Sequence, residues 1–170
     1  MRSRRTWPNS SAQLQMPDDS RGGRSERFWL GFLRVVTLGV IVFGLALVVA
    51  PALAREGFSL LVYGSAGRID DFGSEAADYI GLAHAVMGSV MVGWGTALLL
   101  VLRGEPTGRL REKLLIFVIS LAAWFIPDTA FSLISGFWQN AVLNTVFALL
   151  FAIPLTSLLS MRDETRARGD

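Results

Sequence analysis

LLIFVISLAAWFIPDTAFSLI, residues 114–134, decides the fold. The run carries a single charge, Asp128, and its length matches the roughly 20 apolar residues that cross a bilayer as a helix. An ionised carboxylate in hydrocarbon costs about 2.5 to 3.5 kcal/mol even on lenient insertion scales, so this acid must be paired, neutralised or used. Working outward, three more stretches have the same character, giving four expected spans: Phe28–Leu53, Ala77–Leu102, Leu114–Ser135 and Ala141–Met161. The charges crowd into the segments between them.

The whole-chain composition agrees. Of 170 residues 52% are hydrophobic and 18% charged, where a soluble domain is about a quarter charged. No cysteine is present, which excludes disulfides, thiolate metal sites and iron–sulfur clusters. One histidine, His84, cannot build a multi-histidine metal cage, so no metal site is expected. The reading is an all-α polytopic membrane protein, an antiparallel bundle of four transmembrane helices.

Lysine and arginine counts orient it. Six precede the first span, the first loop has two, the second loop four, the third none and the tail three. By the positive-inside rule both termini lie in the cytoplasm, and the acidic first loop lies outside. These arginines flank spans, so they signal orientation and not a nucleic-acid surface.

Residues 1–27 are polar and poor in aliphatics, the composition of a disordered cytoplasmic tail; residues 162–170 form a second tail. Ser3-Arg4-Arg5 has the look of an export signal and Ala52-Leu53-Ala54 that of a cleavage site. The apolar segment between them exceeds the 7 to 15 residues of a signal core, so an uncleaved anchor is expected. In the first loop, Phe58–Tyr63 is too short to span and is placed at the outer interface. Between spans three and four, Ser135–Asn140 reads as a tight hairpin, with Gly136 at a helix C′ position and Asn140 as N-cap.

The second span carries a small residue at every fourth position: Gly81, Ala85, Ser89, Gly93 and Ala97. Small residues on one helix face let another backbone approach, which drives association in lipid. Packing inside the bundle is one use of such a stripe and homodimerisation another. Arg34, about two turns inside the first span, is expected to snorkel to the inner headgroups.

Given this topology, Asp128 has neighbours. At 1.5 Å per residue His84 lies about 9 Å, Asp128 about 10 Å and Asn144 about 6 Å below the outer surface. Ser132 stands one turn after Asp128, and Asn140 one turn before Asn144. Pro127 removes a helical hydrogen bond and should bend the helix below Asp128. The expectation is a buried polar site of His84, Asp128, Asn144, Ser132 and Asn140, open towards the outer face. Two readings stand side by side: interhelical hydrogen bonds that lock the bundle, worth about 0.6 to 2 kcal/mol each, or a ligand or proton site. No nucleophile elbow, phosphate-binding glycine loop or paired-carboxylate signature is present, so no catalytic residue is assigned.

Ala122–Thr129 with Ser132, followed by Gly136–Asn144, resembles a pattern in small bacterial four-helix integral membrane proteins, and the chain is similar to DoxX-like four-helix proteins. The resemblance implies a bacterial inner-membrane location and supplies no residue roles. The function expected first is a non-enzymatic accessory or interaction component, its partners the lipid bilayer and a second copy or another membrane protein. The alternative is a small-molecule, quinone or proton-binding or transport protein built on the polar cluster. An enzyme acting on lipid comes third. The sequence names no cofactor.

Overall fold

The computed structural model describes residues 19–103 and 109–169. Its elements are α1 (Asp19–Val49), α2 (Pro51–Tyr63), a 3-10 turn at Asp70–Phe72, α3 (Ser74–Leu102), α4 (Leu110–Ile134) and α5 (Trp138–Gly169). No strand occurs among the described residues. α1, α3, α4 and α5 are each long and apolar enough to cross a membrane. Their outward faces carry exposed Val35, Val42, Val90, Ile119, Ile126 and Val142, as side chains solvated by lipid would. The chain is an all-α, four-helix membrane bundle.

Helix ends depart from the expected spans at informative places. α1 begins at Asp19, so residues 19–27, read as disordered tail, are helical; residues 1–18 lie outside the described residues. Part of the reason lies across the bundle, where Glu26 is paired with Arg162 of α5. The first span also stops early, at Val49 and not at Leu53. Pro51 has no N–H to give the carbonyl four residues back, so the chain breaks at Ala50 (φ −131°) and restarts with Pro51 in the first turn of α2. The interfacial run Phe58–Tyr63 is the C-terminal half of that helix, closed by Gly64 at φ 71°.

α1 lies along α3, α5 lies along both α1 and α4, and α3 and α4 scarcely meet. The helices therefore form an arc with a seam between its two ends. The α1–α3 contact is close enough to require glycine. A Cβ on Gly88 would stand 2.4 Å from the Gly44 carbonyl oxygen, and one on Gly95 would stand 2.6 Å from Ile41.

The stripe at every fourth position does not make this contact. Ser89, Gly93 and Ala97 are exposed, and nothing lies within 4 Å of a Cβ placed on Gly93. Gly81 and Ala85 border a small pocket beside Pro51 and Arg55. The reason is helical phase. A step of four residues advances about 40° beyond a full turn, so a stripe of four such steps winds to another side of the helix. Gly81, Gly88 and Gly95 are spaced by seven, which drifts only about 20° per step and holds one face towards α1 and α2.

The two halves of the bundle differ in packing. Towards the termini, Leu33, Leu102, Leu114, Phe117, Leu155 and Leu158 form a dense apolar core. Arg34 does more there than snorkel: its guanidinium donates to the Leu102 carbonyl (3.4 Å) at the end of α3, a carbonyl with no partner inside its own helix. Towards the loops, the helices border a half-open cavity.

Candidate functional site: a cavity in the loop-side half of the bundle

The cavity measures about 1410 Å3. Its floor is aromatic. Trp94 of α3 faces Trp124 of α4 across the seam at 6.3 Å between ring centroids, and Trp94 meets Phe151 of α5 at 6.0 Å. These rings mark the level where the dense core begins. On the loop side the space is bordered by Phe58, Val62 and Tyr63 of α2, by Phe72 of the 3-10 turn and by Phe137 of the hairpin.

Two side-chain bonds hold this roof in position. Ser59, fully buried, donates from its hydroxyl to the Ser65 carbonyl and so folds back the segment after α2. Gln139 donates from Nε2 to the Val62 carbonyl (3.2 Å), tying the start of α5 to the end of α2.

All five residues of the expected polar site border this one cavity: His84, Asp128, Ser132, Asn140 and Asn144. Three of them, Asp128, Ser132 and Asn140, form a hydrogen-bonded wall on α4 and α5, with Asn144 beside it. Asn140 donates from Nδ2 to Asp128 Oδ1 (3.2 Å) and to Ser132 Oγ (2.8 Å). Ser132 Oγ in turn donates to the backbone carbonyl of Asp128 (2.7 Å). Asn144 reaches Thr129 Oγ1 at 3.5 Å, a long contact at the edge of hydrogen bonding.

Local structure explains the arrangement. Gly136 takes the left-handed C′ conformation expected of it (φ 80°), and Phe137 N–H bonds back to the Ser132 carbonyl (2.8 Å). That tight hairpin brings Asn140 alongside Asp128. Asn140 is thus not an N-cap: α5 starts two residues earlier, at Trp138, and the amide is spent on the carboxylate instead. The chain stays helical through Pro127, whose missing N–H leaves the carbonyl of Ala123, a cavity-bordering residue, without its helical partner.

His84 stands apart on α3. Its ring lies against Phe58 with centroids 4.7 Å apart, and no hydrogen bond joins it to Asp128 or Asn144. Its Nδ1 is buried without a hydrogen-bond partner among the described residues. So the three polar levels do converge on one space, but His84 and Asp128 do not form a bonded pair within it.

The bonds also bear on the locking role. Those between side chains each link α4 to α5, helices already joined by a three-residue connection (135–137), and none crosses the seam to α3. Sequence reasoning missed the aromatic floor and roof and the role of Thr129. Trp94 sits in Gly93-Trp94-Gly95, too short to be a motif; Gly95 is there for Ile41 of α1, and Trp94 then points towards the seam.

Compared with protein-family models, with curated proteins and with solved structures, the chain matches none.

Proposed function

We propose that this membrane protein binds a lipid-soluble small molecule in the loop-side cavity. The observation that carries the reading is the contrast between the two halves of one bundle. The same four helices that close into a dense core near the termini stand apart above Trp94 and Trp124, around about 1410 Å3. Ligand sites are typically about 300 to 1000 Å3, mostly apolar, with a few polar groups that fix orientation. Here the polar groups are Asp128, Ser132, Asn140 and Asn144, set against an aromatic lining. The seam between α3 and α4 gives a molecule dissolved in the bilayer a lateral way in.

The positive-inside count supports an orientation with both termini in the cytoplasm, in which the cavity lies in the outer half of the membrane, and the resemblance to small bacterial membrane proteins supports an inner-membrane location. The exposed Ser89, Gly93 and Ala97 support a second reading, an accessory role in which that outward face meets another membrane protein.

Native mass spectrometry of the full chain released from mild detergent tests the first reading. An adduct of small-molecule mass is expected on the wild type. It should be lost in Ala83→Trp, which places an indole in the cavity. A wild type with no adduct, and a variant that melts no differently from it, would contradict the reading.

A further inference from the structure

We propose that the ligand of this cavity is a lipophilic cation, with Asp128 as its counter-ion; the inference rests on the cavity-binding reading above and specifies the charge of the ligand.

The charge inventory of the lining is one-sided. Among the described residues, Asp128 is the only acid bordering the cavity, and no lysine or arginine borders it. The two arginines of the loop side lie outside it: Arg55 faces Asp70 (3.8 Å) and Asp78 (3.9 Å), and Arg68 faces Asp71 (3.3 Å). His84 borders the same space, but it stacks on Phe58 and makes no ion pair with the carboxylate among the described residues.

The carboxylate is also only half engaged. Asn140 bonds Oδ1, and no described residue donates to Oδ2. Asn140 is neutral, so it orients the carboxylate without compensating its charge. A carboxylate inside a membrane bundle is stable when a cation comes to it or a proton neutralises it. The same space is bordered by the aromatic rings of Trp94, Trp124, Phe58, Tyr79 and Phe151. Aromatic faces attract cations by roughly 0.5 to 2 kcal/mol when the charge is desolvated and near the ring. A single carboxylate and several aromatic rings bordering one space suit an organic cation whose charge is carried on an apolar body.

The same inventory argues against other occupants. A phosphate or carboxylate headgroup would meet Asp128 with no lysine or arginine to offset it. A neutral molecule, such as a quinone, would fill the aromatic part but leave the free carboxylate oxygen without a charge partner.

The test is equilibrium dialysis of the full chain in nanodiscs, with empty nanodiscs subtracted. It uses three probes of similar shape: tetraphenylphosphonium, tetraphenylborate and neutral triphenylphosphine oxide. Tetraphenylphosphonium is expected to bind saturably, about tenfold or more tighter than the neutral probe, the scale of one well-formed charge contact. Tetraphenylborate should not bind. Asp128→Asn should lose that preference for the cation, while Asp128→Glu should retain it. Far-UV circular dichroism and gel filtration establish that both variants are folded.

Equal binding of cation and neutral probe, or an Asp128→Asn variant with undiminished cation affinity, would overturn the proposal and leave cavity binding standing. Failure of all three probes, together with a wild type free of any adduct, would overturn both.

Discussion

Gly88 and Gly93 are five residues apart on one helix, and the structure assigns them opposite fates. A methyl on Gly88 would fall 2.4 Å from a backbone oxygen of α1 and 2.8 Å from Leu47 Cβ, neither of which can yield without moving the helix. Overpacking of this kind costs about 1 to 3 kcal/mol or more, so Gly88→Ala should lower the midpoint of a detergent thermal melt by several degrees. Gly93→Ala meets open space and gains helix propensity, up to about 1 kcal/mol, so it should leave the midpoint unchanged or raise it. Equal effects from the two substitutions would contradict the packing described. The sequence showed both glycines, but the four-residue repeat is not the one that meets α1, because a four-residue period looks straight when written and winds when coiled. Asp128 was legible for a different reason: a lone charge in an apolar run is expensive wherever the helix turns. Its partner Asn140 was legible as a nearby polar group and misassigned as a cap, since α5 begins before it, at Trp138, and a shift of a few residues in a hairpin decides which groups an amide meets.

Among the elements, the four spans were readable from length and charge alone, and their breaks were not. Pro51 could have been read as a stop for the first span, since the physics of proline in a helix is local. That α2 continues as a helix over the cavity depends on contacts made far away in sequence, such as Gln139 with the Val62 carbonyl. Gln139→Leu removes that donor and should loosen α2 from the hairpin. Backbone amide exchange around Val62–Gly64 is expected to rise several-fold, with α1 and α3 unchanged; protection equal to wild type would show that the bond does not hold α2. The orientation of the elements is testable cheaply, because the chain has no cysteine of its own. Ser65→Cys, exposed after α2, should react with an impermeant thiol reagent added to intact cells. Glu112→Cys, exposed at the start of α4, should react only after the membrane is opened. The reverse pattern would place the cavity in the inner leaflet.

At the scale of the whole molecule, the division into a packed half and an open half was hidden from the sequence. Both halves are written in the same apolar alphabet, and what separates them is which helices meet. Close α1–α3 contact through Gly44, Gly88 and Gly95 sets one end of the arc, and the short hairpin sets the other. The large rings of Trp94 and Trp124 then meet across the seam and hold α3 and α4 apart above them. A cavity of this size left without an occupant would forfeit van der Waals contact along its whole lining, which is the physical ground for expecting a ligand. The most direct measurement is native mass spectrometry of the wild type and of Ala83→Trp, purified side by side from the same membranes. The account predicts a small-molecule adduct on the wild type that is absent from the variant. An adduct-free wild type, or an adduct retained undiminished when the cavity is filled, would contradict it.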